Sequence, residues 1–389
     1  MNDTLARLAR VVPGPAPVVS VYVHTRAEDE HQRERVRVFL KNESHRAAAM
    51  AAGAADAELA WIVAQGERIV GQALFPEAES VALFAGGAPA LREAIPLGMA
   101  VADSFTVADT PRLRPLVAAL AETPRALVVF VDGERARLIA LADDGATEEV
   151  VLEHPEQVVG HHRRGGWSLL LQSKYDKHMR VHRDRHLDAV AEVLQAAVAR
   201  YGTTALVLAG EPRMRAVFRA HVPAALAGAI VGEIAGTRYE PAATLAARAQ
   251  DVIRLVAGSE QAGSVDAVLV QAGAGGRAAA GLDATLDAAN RGTVERLYLL
   301  AAFDEAGAMC GACGALQRGA AVACRWCGKP ARAVDLGEAM VQRVLAAGGT
   351  VQSVRVHGGL ARAGGVTALL RYAPVPGAMW PAGAGRGVS

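Results

Sequence analysis

Short, unbroken apolar runs alternate along this chain with longer amphipathic stretches. Val18–Val23 is apolar and β-branched and reads as a strand, as does Ser80–Leu83. Between them Arg33–Asp56 is basic at first and Ala-rich later, which predicts a helix. A second block opens at Thr123-Pro124. There Arg125–Val131 predicts a buried strand, Asp132-Gly133 a hairpin turn, and Arg135–Ala142 the antiparallel partner. After a polar stretch come a helical run from about Leu170 to Tyr201 and another buried strand, Ala205–Leu208. Leu245, Val252, Ile253 and Val256 fall on helical spacing, so Glu240–Val256 predicts a helix placed to connect two domains. A third block starts near Gly263 with the apolar run Val265–Gln271. It continues through a helix (Leu282–Arg291), a strand (Val294–Ala301), a second helix (Leu336–Ala347) and a strand at Val351–Val356. Strands interleaved with helices predict an α/β fold.

The expected domains are 1–122, 123–258 and 259–373, the third carrying an insertion at 308–330. The Pro/Gly/Ala-rich end, 374–389, reads as a disordered tail. With 389 residues, 52% of them hydrophobic, the chain is long enough for several proper cores. A balance of 41 Lys+Arg against 40 Asp+Glu excludes a uniformly basic nucleic-acid coat but leaves room for a local basic patch. No apolar run approaches the roughly 18 residues of a spanning helix. Met1-Asn2-Asp3-Thr4 lacks the basic start and apolar core of a signal peptide. A cytoplasmic protein with no membrane partner is expected.

All four cysteines lie in two Cys-x-x-Cys knuckles, Cys310/Cys313 and Cys324/Cys327, each followed by glycine. Two disulfides or a redox pair are the competing readings. The duplicated spacing favours four thiolates around one tetrahedral zinc ion, a structural cofactor with no open coordination position.

The other informative stretch is Gly160-His161-His162-Arg163-Arg164-Gly165-Gly166-Trp167-Ser168. From His161 to His186 there are seven Arg or Lys, five His and two Asp, a local excess of about +5 in a nearly neutral chain. Paired glycines let a backbone approach a ligand closely, and the flanking arginines suit phosphate. His161, His162, Arg163, Arg164, Trp167, Lys174, Lys177, Arg180 and Arg183 are the candidate RNA contacts, against a plain solvated surface. His178, His182 and His186 recur every fourth residue, near one helical face, without completing a known metal spacing.

Arg164-Gly165-Gly166, followed by a basic helix ending in Ala189-Val190-Ala191-Glu192, resembles the Gly-Gly-Gln loop and helix of archaeal and eukaryotic class-one release factors. Other motifs follow in the same order. Val19–Val23 resembles the first strand of their N-terminal domain, and Leu206–Glu211 a middle-domain strand and turn. Ala288–Glu295, Gly358-Gly359-Leu360, Gly364-Gly365 and Leu370–Tyr372 resemble parts of the third domain, where archaeal relatives also carry a zinc insertion. The resemblance points to bacterial members of the release-factor/Pelota superfamily, which include peptidyl-tRNA hydrolases and ribosome-hibernation factors. It implies a monomeric, three-domain tRNA mimic that enters the ribosomal A site, contacts rRNA and meets a delivering GTPase.

Two departures qualify what the resemblance implies. Trp167 stands where the family has its catalytic glutamine, and an indole donates one hydrogen bond but accepts none. Gln172 lies five residues further on, more than a helical turn away. No cysteine precedes Cys310 and no Asn-Ile-Lys-Ser motif is present, so the stop-codon-reading motifs are missing. Three readings stay open. One is a non-hydrolytic A-site occupant acting in hibernation or rescue. Another is a codon-independent peptidyl-tRNA hydrolase using Gly165, Gly166 and Gln172. The third is an α/β binding protein unrelated to ribosomes.

Overall fold

The computed structural model describes residues 2–26, 30–51, 53–76, 78–122, 125–141, 147–153, 168–203 and 205–373. The fold is α/β and divides into two compact units, one built from 1–122 and 258–389, the other from 123–257. Among the described residues no helix is long and apolar enough to cross a membrane.

The first unit begins with α1 (Asn2–Ala9), β1 (Val18–His24), α2 (Glu30–Ala51), α3 (Asp56–Val70), β2 (Ser80–Gly86), β3 (Leu91–Leu97), β4 (Ser104–Ala108) and α4 (Arg114–Glu122). Its sheet has the order β3-β2-β1-β4, all antiparallel. Alternation along β1 explains how that sheet is covered on both faces. Val19, Val21 and Val23 point into a core with Val36, Leu40, Leu59 and Ile62 of α2 and α3. Val18 and Tyr22 point the other way. The Tyr22 hydroxyl donates to the Arg112 carbonyl at 2.6 Å, which satisfies the one polar atom this buried ring carries.

The second unit starts with the hairpin β5 (Ala126–Val131) and β6 (Arg135–Leu141), extended by β7 (Thr147–Glu153). Next come α5 (Ser168–Tyr201), β8 (Ala205–Ala209), α6 (Pro212–Arg219), α7 (Ala224–Ala227), β9 (Ile230–Ile234) and α8 (Ala242–Gly273). The sheet order is β7-β6-β5-β8-β9, with β8 parallel to both β5 and β9. Helix α5 buries Leu187, Val190, Ala191 and Leu194 against one face, and α8 buries Leu245, Ala249 and Ile253 against the other. At the hairpin tip Asp132 accepts the N–H groups of Glu134 and Arg135 and the Arg238 guanidinium at 2.8 Å. Burial raises the Asp132 carboxyl, but those donors outweigh it and hold the group below its ordinary range.

The chain then returns to the first unit with β10 (Ala278–Ala280), α9 (Leu282–Asn290), β11 (Val294–Leu300), β12 (Ala306–Cys310), β13 (Leu316–Arg318) and β14 (Ala331–Asp335). It ends with α10 (Leu336–Ala346), β15 (Thr350–Val354), α11 (Gly358–Arg362) and β16 (Val366–Leu370). Two sheets form here, β10-β16-β11-β15 and the small β13-β12-β14. Leu297, Leu336, Met340, Val344 and Val366 share one core with Leu5, Leu8, Tyr22, Phe84 and Leu116, so both ends of the chain build it.

One expectation needs correction. The connector expected to end at Val256 continues to Gly273 and takes in Val265–Gln271, and the division between units falls inside it. Val265 and Val268 pack on Tyr298, Val354 and Leu360, so tertiary burial carries the helix through Gly258 and Gly263.

Candidate functional site

Two features singled out in the sequence differ in what the structure places. The four cysteines lie entirely within the described residues. Cys310 ends β12 and Cys313 sits in the turn toward β13, while Cys324 and Cys327 occupy the turn before β14. Gly314 and Gly328 adopt φ of 71° and 69°, left-handed values that favour glycine. Their N–H groups donate to the carbonyls of Cys310 (3.0 Å) and Cys324 (2.9 Å), giving the two knuckles the same tight turn.

This turn brings the sulfurs together. Cys310 Sγ lies 3.5 Å from Cys327 Sγ, Cys313 Sγ lies 3.6 Å from Cys324 Sγ, and all four lie within 4.8 Å of one another. A tetrahedral ion with bonds of about 2.3 Å has sulfur–sulfur edges of about 3.8 Å, so the donor set fits four-coordinate binding. The N–H groups of Cys313 and Ala312 point at Cys310 Sγ, each at 3.4 Å. They hold its thiol down at about 6 against the effect of burial. Burial, with the neighbouring sulfurs adding to it, pushes Cys313 up to about 12. Four packed thiols resist ionising together, and a divalent cation among them would remove that penalty.

Two buried polar side chains, Asn290 and Gln317, and the half-buried Arg343 hold the cluster to the core. Asn290, at the end of α9, donates to the Leu316 carbonyl and accepts the Leu316 N–H, both at 2.8 Å. Arg343 of α10 reaches Asn290 Oδ1 at 2.8 Å and also bonds the Gly314 carbonyl. Gln317 donates to the Ala323 carbonyl at 2.9 Å and accepts the Arg325 N–H at 3.0 Å, which fixes the approach to the second knuckle. The sequence reading missed all three roles. The available signal was polar residues inside otherwise apolar elements, Arg343 between Val341 and Val344 being the clearest.

The basic glycine loop is placed differently. His161, His162, Arg163, Arg164, Gly165, Gly166 and Trp167 lie outside the described residues. Helix α5 begins immediately after them at Ser168 and carries Gln172, Lys174, Lys177, Arg180 and Arg183. Arg180 is exposed, and Arg183 is half-buried with its guanidinium on Asp184 at 2.8 Å. His182 is exposed whereas His186 is turned into the core at 2% exposure, so these two do not share one surface. Among the described residues the four cysteines form the metal-competent cluster.

Compared with known proteins, residues 111–272 match bacterial archaeo-eukaryotic release factor family 10. No curated protein matches the chain. Among solved structures it is similar to an archaeal translation termination factor, at 16% identity and TM-score 0.26 over 95% of this chain and 98% of that one. It is also similar to Pelota from Archaeoglobus fulgidus, at 13% identity and TM-score 0.35 over 96% and 92%. Archaeal Pelota in a ribosome-bound assembly shows 14% identity and TM-score 0.40 over 96% and 94%. Over residues 111–272 the chain is thus similar to the bacterial branch of the archaeo-eukaryotic release factors.

Proposed function

We propose that this protein is a translation factor that occupies the ribosomal A site without reading a stop codon and without hydrolysing peptidyl-tRNA, in hibernation or rescue. One observation carries the reading. The stretch matched to the release-factor family contains Arg164-Gly165-Gly166 ahead of α5, yet Trp167 stands in the place of the glutamine that would orient water. The basic loop and helix are kept while the water-positioning amide is lost. In this reading His161, His162, Arg163, Arg164, Lys174, Lys177, Arg180 and Arg183 contact rRNA phosphates, and Trp167 stacks on a base. The protein acts in the cytoplasm as a monomer, with or without a delivering GTPase.

The four cysteines hold a structural zinc ion in the same reading. Four protein ligands close the coordination sphere, so the metal would stabilise the insertion and leave the chemistry to other groups.

The hydrolase reading rests on Gln172. Four residues into α5 from Ser168, it stands about 6 Å along the helix axis from the loop junction. The experiment is single-turnover peptide release on ribosomes with an empty A site, using wild type and Gln172→Ala. Binding without release is the expected result. Release by wild type that the variant loses would replace the proposal with the hydrolase. In parallel, Arg163→Ala with Arg164→Ala is expected to weaken ribosome binding and flatten its salt dependence, through fewer released counterions. Unchanged affinity across salt would remove the loop from the interface.

A further inference from the structure

The four-cysteine lobe has a charge pattern of its own. From 306 to 334 the chain contains no aspartate or glutamate, whereas Arg318, Arg325, Lys329 and Arg332 are all exposed. Elsewhere acids and bases nearly balance, so a carboxylate-free lobe is a local departure from the rest of the chain. Arg332 is engaged by Asp109 at 3.0 Å. Arg318, Arg325 and Lys329 make no ion pair among the described residues.

Two hydrogen bonds keep the chain positions of these three near one another. The Arg325 N–H donates to Gln317, the residue before Arg318, at 3.0 Å. The Cys324 N–H donates to the Lys329 carbonyl at 2.8 Å. Arg325 also stacks on Trp326, with its guanidinium carbon 4.0 Å from the ring centroid, and Trp326 itself packs against the cysteines. A guanidinium held flat on an indole offers its outer face to a second planar group and its N–H edge to an anion. The metal-loaded thiolates would carry a formal negative charge, but half-buried Arg343, bonded to the Gly314 carbonyl, lies beside them. That leaves the exposed cations to set the character of the outer surface.

Separated point cations beside one stacked plane match a flexible polyanion with flat faces. Single-stranded RNA has both properties, while an acidic peptide supplies the charge without the planes. We infer that the four-cysteine lobe is an RNA-binding surface in its own right, where Arg318 and Lys329 take phosphates and the Arg325–Trp326 stack takes a nucleobase. The inference stands on the lobe and does not depend on the A-site reading.

The test uses the full, metal-loaded chain carrying Arg163→Ala and Arg164→Ala, so that the glycine loop does not supply the signal. Binding of a labelled single-stranded oligouridylate is followed by fluorescence anisotropy across a KCl series. Adding Arg318→Ala and Lys329→Ala should lower the slope of log affinity against log salt by roughly 0.7 for each phosphate no longer neutralised. Arg325→Lys should keep the slope and weaken binding by about three- to tenfold, because the charge stays and the plane goes. Metal content at the parent's level confirms that each variant keeps the lobe. Three results would overturn the inference: no binding by the parent, unchanged affinity and slope in the Arg318/Lys329 variant, or displacement by polyglutamate as effective as by oligouridylate. Absence of ribosome binding by the wild-type chain, with oligouridylate binding retained, would count against the A-site reading alone.

Discussion

The side chain of Asn290 is 3% exposed, and its hydrogen bonds go to Leu316, which opens β13 just after the first cysteine knuckle, and to Arg343, which steadies the same turn. Removing it leaves the N–H and C=O of Leu316 without partners in a buried site. Each unsatisfied group costs about 1–3 kcal/mol, so Asn290→Ala should lower stability by roughly 2–4 kcal/mol in urea unfolding. A change within experimental error would mean that the lobe is anchored elsewhere. Glu338 gives a prediction in pH. Its half-buried carboxylate accepts the N–H groups of Leu113 and of Arg114 (3.2 Å), capping α4 from α10. Burial pushes it up from 4.5 to about 7, against those donors. Between these values the folded state binds more protons than the unfolded one, so stability is highest at the acid end. It should fall by about 3 kcal/mol as pH rises toward 7 and level off above. Glu338→Gln, which still offers an oxygen, should remove that component of the pH dependence; a profile identical to wild type would exclude Glu338 as its source. Neither role was legible in the sequence, because Asn290 and Glu338 find partners 26 and 225 residues away.

At the scale of elements, Val18–His24, Ala126–Val131 and Ala205–Ala209 were readable because a strand covered on both faces becomes an unbroken apolar run. The edge strands Leu91–Leu97 and Ser104–Ala108 went unread, since half-exposed faces mix polar and apolar residues without clean alternation. Helix α3 was missed as well, separated from α2 by a turn in which Gly53 takes φ 86°. The length of α8 was hidden by glycines that intrinsic propensity counts against a helix. Metal-ligand spacing is by contrast a local property, and the cysteine cluster could be read in full from the chain. Cys313→Ser should release about one metal ion per chain and raise amide exchange across 306–334, measured by elemental analysis and mass spectrometry. A metal-free wild type with the same exchange protection would show that the three-stranded sheet stands without it.

Taken as a whole molecule, the likeness to release factors depended on short motifs in a consistent order, and the matched family covers the middle of the chain. The glycine loop could be recognised only through that likeness, since charge and glycine content alone fit any solvated basic surface. The discontinuous build of the first unit has its own consequence for how the protein is made. Leu5, Leu8, Tyr22 and Phe84 belong to a core completed by Leu336, Met340 and Val366, whereas 123–257 is continuous and can close as it emerges. At about 5–20 residues per second, synthesis from Glu122 to Leu370 takes on the order of 12–50 s. For that interval the nascent N-terminal sheet has one apolar face without its cover. Messages truncated before the last segment should therefore yield chains with a folded 123–257 unit and an aggregation-prone N-terminus.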